Sequence, residues 1–309
     1  MLQEAMDVLR RYPVRKSKKD KQSFRMDAAD YFKTRGYACV EEKGGFGAVN
    51  LVAGDPERAK FLITAHYDTC ARLPFPNFIT PCNFWIYLAY QILLTGVLLF
   101  PFIAAELLLP LWIEDALLVL QLSMLILWVT LLLVFLGPAN RNNANDNTSG
   151  VVTVLEIADQ LPEHLREQVC FVLFDLEEAG LIGSSGYRSK HKKASNNQIV
   201  LNMDCVGEGN DILLFPTAKL RKDTPRMELL QMLNGETAGK KICLWEKSGS
   251  IYPSDQASFP YGLGICALKR GKVGLYMDRI HTNKDTVLEE ENVNILRDAV
   301  IKYLGAAVQ

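Results

Sequence analysis

Seven residues along this 309-residue chain carry side chains of types that bind metals or move protons, and five of them close short apolar runs. His66 and Asp68 end FLITAHYD, and Asp146 lies in NANDNTSG. Glu177 and Glu178 end VCFVLFDLEE, Asp204 ends IVLNMD, and His281 sits in RIHTNKDT. His66, Asp146, Glu178, Asp204 and His281 supply two imidazoles and three carboxylates. That is enough for a pair of metal ions, with Glu177 left over as a base. Mixed nitrogen and oxygen donors suit zinc, and manganese or cobalt accept them too. Singly, each has a plainer reading: His66 as a satisfied core histidine, Asp146 as a helix-capping turn, Glu177–Glu178 as a solvated helix start, Asp204 as a turn residue. The ordered set is the specific signal. His164 and His191 sit in the charged contexts EHLRE and SKHKK and read as surface residues. Ser254–Asp255 has no histidine nearby in sequence, so a serine nucleophile has no support.

The elements that must position these groups alternate between strand-like and helix-like runs. AVNLVAG (48–54) and FLITAHYD (61–68) read as neighbouring strands separated by the turn DPER. VCFVLFD, IVLNMD and GICALK are continuous apolar runs of the kind that form strands covered on both faces. After NDNTSG, Val151, Leu155 and Ala158 share one helical face. Near the carboxyl terminus Val293, Leu296, Val300 and Leu304 do the same. The alternation predicts an α/β fold with a mostly parallel central sheet and helices on both faces. Ligands of such sheets collect beyond the carboxyl ends of the strands, where His66, Asp204 and the Glu177–Glu178 pair fall.

Residues 84–137 interrupt this pattern. FWIYLAYQILLTGVLLFPFIAA (84–105) and ALLVLQLSMLILWVTLLLVFLG (116–137) are charge-free runs of 22 residues each. As helices each would span about 33 Å, against a hydrocarbon core of about 30 Å. Neither has a polar face, and Trp85, Tyr87 and Tyr90 resemble interfacial anchors. Pro101 is expected to kink or end the first helix without preventing a span. The connecting turn carries Glu106, Glu114 and Asp115, while the outer flanks carry Arg72 and Arg141. The positive-inside tendency therefore puts both flanks, and the catalytic parts, in the cytoplasm. A hydrophobic hairpin buried in a dimer or lying over the active site would leave the same pattern. An even number of crossings lets Asp146 rejoin His66 on one side. The organisation expected is a discontinuous catalytic domain, 1–83 and 138–309, with a transmembrane hairpin at 84–137 contacting lipid.

A net charge of −1 argues against a nucleic-acid partner, which needs a basic field. Seven scattered cysteines without a CxxC pair read as reduced thiols; Cys70 and Cys205, close to the candidate ligands, read as small buried packing residues, with a metal or redox role as the alternative. The first 25 residues hold eight Lys/Arg against three acids and lack the apolar core of a signal peptide. They read as a solvated, partly helical face, or alternatively as a basic segment drawn to anionic lipid.

Over residues 20–83 and 138–309 the chain resembles the co-catalytic zinc aminopeptidases of the bacterial leucyl aminopeptidase and aminopeptidase Y type. The resemblance rests on HYD, NDNTSG, the Glu pair, IVLNMD, IHTNKD and SIYPSDQASF (250–259). It implies a zinc-peptidase α/β/α sandwich. It also implies that His66 and Asp204 hold one zinc, Glu178 and His281 the other, and that Asp146 bridges them. Glu177 would be the general base, with Asp68 orienting His66 from behind. Asp285 in NKDT resembles a family position near the site, and a turn or cap role fits it equally. The chain departs from the family in its length between Asp68 and Asp146, where 77 residues replace a short connection.

The leading expectation is a membrane-anchored zinc aminopeptidase acting on amino-terminal residues of peptides, with two metals about 3.5–4 Å apart lowering the pKa of a shared water towards about 7. Two alternatives stand beside it. A glutaminyl cyclase-like acyltransferase would use the same fold with one zinc, and a non-catalytic module would have lost its metals. Products from an amino-terminal Gln peptide separate the first, and metal content separates the second. Side-chain preference, native metal and oligomeric state have no legible code.

Overall fold

Apolar runs of five or six residues, buried along their whole length, form the middle of a ten-stranded sheet. The chain is described here by a computed structural model covering residues 2–237, 239–247 and 249–308. Its strands are β1 (Cys39–Lys43), β2 (Val49–Ala53), β3 (Phe61–His66), β4 (Val169–Phe174), β5 (Ile199–Met203), β6 (Asp211–Pro216), β7 (Gly235–Thr237), β8 (Lys240–Leu244), β9 (Gly262–Gly271) and β10 (Gly274–Tyr276). They lie in the order β1-β2-β4-β3-β5-β9-β6-β8-β7, with β10 folded back on β9. The expected parallel core is β4, β3, β5 and β9. Around it β1, β2, β6, β7 and β10 make antiparallel pairings.

β2 and β3, consecutive in sequence, are not neighbours as their spacing had indicated. β4 runs between them, antiparallel to β2 and parallel to β3. The reason is that β4's apolar residues complete both faces of the sheet, a long-range pairing that a local turn signal cannot announce.

Side chains alternate along the strands. In β3, Phe61, Ile63 and Ala65 join the large core beneath the helices Leu2–Arg11, Lys18–Thr34, Gly150–Gln160 and Glu290–Val308. Leu62 faces the opposite core with Val172, Phe174, Tyr187 and Phe259. Helices therefore cover both faces, and the shared carboxyl end of β3, β4 and β5 is left to the polar groups.

The basic amino-terminal run is not simply a solvated face. Arg15, Lys21 and Arg25 are buried. Lys21 Nζ donates to Asp175 Oδ1 at 2.7 Å, and Arg15 Nε donates to the Tyr67 carbonyl at 2.5 Å. These cations tie the helix Lys18–Thr34 and the linker before it to the ends of β3 and β4. His191 also departs from expectation: it is buried, with Nε2 3.0 Å from Glu42 and Nδ1 2.6 Å from Glu57. His164 is exposed as expected.

The apolar insertion is a helical hairpin, Phe84–Leu108 and Ala116–Leu136. Asn83 caps the first helix by accepting the Ile86 N–H, and Asp115 caps the second by accepting those of Leu117 and Leu118. The first helix runs through Pro101 without ending. Two spans, Phe84–Leu111 and Ala116–Val134, are long and apolar enough to cross a membrane, and only 6% and 11% of their most apolar windows are buried.

Candidate metal centre

Each proposed ligand is delivered by the end of an element. His66 is the last residue of β3, Asp204 follows β5, and Glu177 and Glu178 follow β4. Asp146 lies in the turn before the helix Gly150–Gln160, and His281 in the loop after β10. Residues 66, 146, 178, 204 and 281, scattered over more than 200 positions, meet in one cleft.

The geometry centres on Asp146. Its Oδ1 lies 3.2 Å from His66 Nε2, which is also 3.6 Å from Asp204 Oδ1. Its Oδ2 lies 2.9 Å from His281 Nε2, which is 3.2 Å from Glu178 Oε2. One carboxylate thus offers an oxygen to each of two donor groups. His66, Asp146 and Asp204 form a closed triad of potential ligand atoms, and His66, Glu177 and Glu178 form another. Buried oxygens Asp204 Oδ1 and Glu178 Oε1 have no hydrogen-bond donor. Unpaired buried acceptors converging with imidazole nitrogens are what a cation would satisfy, so the residues present fit zinc.

Supporting groups hold this arrangement. Asp68 Oδ1 and Oδ2 accept the backbone N–H groups of Glu177 (3.1 Å) and Glu178 (3.3 Å). Asp68 Oδ1 also stands 3.5 Å from His66 Nδ1. Asp285, a turn or cap candidate by sequence, accepts the N–H groups of Asn145 (2.7 Å) and Asp146 (3.0 Å) and so fixes the Asp146 backbone from behind. Asn147 Nδ2 donates to the Met203 carbonyl at 2.9 Å, while its Oδ1 accepts the N–H groups of Gly150 and Cys205. Leu176, Leu181, Cys205 and His281 all adopt positive φ beside the ligands, backbone strain of the kind that gathers at functional sites.

The electrostatics are those of too many carboxylates in too little water. Burial pushes Glu178 up to about 7 despite His281, with Asp146 adding to the rise. Burial, Glu178, Asp204 and Asp255 push Glu177 well above the carboxylate range against the pull of His66. Burial would lower His281, but Glu178 and Asp146 raise it to about 9. His66 is likewise raised, against burial, by Glu177, Asp146, Asp204 and Asp68. Asp146 moves the other way: although burial opposes it, His281 and His66 hold it well below the usual value.

Three groups stand at the site without having been assigned to it in the sequence. Asp255 is fully buried, with both carboxylate oxygens unpaired, and burial pushes it up to about 7. Its only signal was its place in SIYPSDQASF. Cys70, expected to be a packing residue, clusters with Glu178 and His281. Arg15 spans Tyr67, Asn143 and Thr148 behind the site, hidden in the sequence by its basic neighbours. Cys205 is buried as expected.

Peptidase family M28 matches residues 133–303. No curated protein matches the chain. Among solved structures, the chain is similar to a glutaminyl cyclase from Porphyromonas gingivalis, with TM-score 0.60 and 16% identity over 99% of this chain and 98% of that one. It is similar to a leucine aminopeptidase precursor from Bacteroides thetaiotaomicron, with TM-score 0.60 and 14% identity over 98% and 96%. It is also similar to a Zn-dependent exopeptidase from Parabacteroides distasonis, with TM-score 0.59 and 15% identity over 98% and 97%. At such identities the likeness is one of fold.

Proposed function

The chain belongs to peptidase family M28, and from that premise we propose that it is a membrane-anchored aminopeptidase holding two zinc ions. The observation that carries this reading is Asp146, whose two oxygens face separate donor groups. His66, Asp146 and Asp204 would hold one ion, and Asp146, Glu178 and His281 the other. When bound, the pair would acidify a water and polarise the scissile carbonyl.

The protein's own groups do the rest. Glu177 takes the water's proton and passes it to the leaving amine. Burial and the neighbouring carboxylates favour its protonated form in the metal-free cleft, and bound cations would counter this so that it can accept a proton. Asp68 fixes the Glu177–Glu178 backbone, so base and ligand move together. The peptidase body comprises residues 1–83 and 138–309, with 84–137 anchoring it in lipid. The acidic turn Glu114–Asp115 lies outside, and the flanks with Arg72 and Arg141 lie in the cytoplasm.

The test is elemental analysis of the detergent-purified protein, together with mass spectrometry of peptides beginning with Leu or Gln. Two zinc ions per chain and stepwise release of the first residue are expected. Conversion of the Gln peptide to pyroglutamate without hydrolysis would make the protein a glutaminyl cyclase. Absence of both metal and turnover would make it a binding module.

A further inference from the structure

The proposed metal centre opens into a cavity of about 300 Å³ whose walls come from both regions of the molecule. Asp68, Glu178 and His281 stand on one side, and Val134 and Leu136, from the last turn of the second hairpin helix, on another. The hairpin's end is stitched to the site rather than tethered loosely. The Arg72 N–H donates to the Pro138 carbonyl at 2.8 Å, the Asn140 N–H to that of Cys70 at 3.1 Å, and the Leu73 N–H to that of His281 at 2.8 Å. Entry strand, exit strand and ligand loop are thus one hydrogen-bonded unit.

From the cavity an apolar track runs along the hairpin. Leu125, Val129, Leu132 and Leu136 are spaced 4, 7 and 11 residues from the first, which puts them on one helix face. All four are exposed, Leu136 by 71%. In a bilayer this face meets lipid over most of its length and ends at the metal ligands. A soluble peptide gains nothing from such a track. A peptide whose apolar side chains already lie in the membrane surface meets the end of this face, at Val134 and Leu136, without further exposure to water.

We propose that the hairpin forms part of the substrate site. The cavity seats the apolar first side chain of an amphipathic peptide lying on the membrane surface, and Val134 and Leu136 select that side chain. This rests on the peptidase reading of the same cleft and adds to it the substrate's class and its route.

The decisive experiment uses the full-length Glu177→Gln protein in phosphatidylcholine–phosphatidylglycerol vesicles and an amphipathic peptide whose first residue is a diazirine analogue of leucine. Photolysis should label the segment holding Val134 and Leu136, as located by mass spectrometry. Labelling elsewhere, or none, overturns the proposal whatever the chemistry of the site.

In the otherwise wild-type protein, V134A/L136A should lower kcat/KM for a leucyl substrate by about tenfold while changing that for an alanyl substrate by less than about threefold. The conservative Leu136→Met should keep the preference with zinc content unchanged. Equal losses on both substrates, or none, overturn the selecting role. An amphipathic peptide should also be cleaved on vesicles about tenfold faster than a variant with its apolar face replaced by serine, since only the first is concentrated at the surface. Equal rates overturn the membrane route. If the wild-type protein cleaves nothing, the peptidase reading fails, and the labelling still decides the role of the hairpin.

Discussion

The cleft and the hairpin are inversions of one another. In the cleft, carboxylates and imidazoles are drawn inward, so that Asp204 Oδ1 and Glu178 Oε1 are buried without donors. In the hairpin, leucines and tryptophans are turned outward, with Trp112 and Leu136 exposed. Soluble proteins avoid both arrangements, because a buried unpaired charge and a large exposed apolar face each cost free energy. On the proposed reading each region is completed by something the polypeptide does not supply: cations for one, lipid for the other. The comparison can be broken by removing either partner or the residues that recruit it.

The largest effect is expected from Asp146→Ala. It removes an oxygen from both donor groups and leaves two cation sites facing each other without their shared anion. Zinc per chain and hydrolysis should both fall to background in elemental analysis and a peptide assay. Retention of two metals would sink the bridging role. Glu177→Gln should be nearly as severe for turnover, a loss of about 10²–10⁴-fold, because a positioned proton carrier is gone. Its zinc content should stay near that of the wild type, and loss of metal would reassign Glu177 from base to ligand.

Asp285→Ala tests the layer behind the bridge. The Asp285 carboxylate accepts the backbone N–H groups of Asn145 and Asp146. Its removal should weaken zinc binding about 10–100-fold, measured by competition with a chelating dye, without altering the Glu177-dependent step at saturating zinc. An unchanged affinity would mark Asp285 as a turn residue only.

Stripping the metals should make stability fall with rising pH. Burial and like charge raise Glu178 from the ordinary carboxylate range to about 7, so above that pH the folded apo-protein carries an ionised, crowded carboxylate that the unfolded chain solvates freely. His281 is raised to about 9, so its stabilisation is full below the ordinary histidine value and is lost as pH climbs through 9. Both signs agree: the melting temperature of chelator-treated protein should drop by about 4 °C or more between pH 6 and pH 9. Zinc-loaded protein should not follow, since metal binding displaces those same protons and tightens with pH. Parallel curves with and without zinc would show that the cleft is not where the metal sits.

What the sequence disclosed follows the same division. His66, Asp204 and the Glu pair were visible because donors placed directly after buried strands have few structural uses, and the hairpin because two charge-free runs have fewer still. The α/β architecture could be read from strand and helix periods. Hidden were features defined by partners far along the chain: β4 between β2 and β3, Arg15 and Lys21 turned inward, and His191 held by Glu42 and Glu57. A charged residue among charged neighbours looks solvated until the acid it meets across the fold is known. Val134 and Leu136 were hidden for the converse reason, since in an unbroken apolar run nothing distinguishes the two that reach the cavity.

The smallest effect is expected where the comparison is pressed hardest, by replacing residues 84–137 with a short Gly/Ser linker. If the hairpin belongs to the membrane and the substrate route, no ligand to the metals is lost. Asn140, Asn143 and Arg15 still hold the strand that leads to Asp146. The variant should be soluble without detergent, bind two zinc ions and hydrolyse an alanyl substrate within about threefold of the wild type, because an alanyl side chain is too short to need the missing wall. Its preference for leucyl over alanyl substrates should decline, because the wall of Val134 and Leu136 is gone. A soluble, folded variant that binds no zinc would show that the hairpin shapes the cleft itself. A wild-type protein that remains in the soluble fraction without detergent would remove lipid from the comparison and leave the exposed leucines to be covered by another protein.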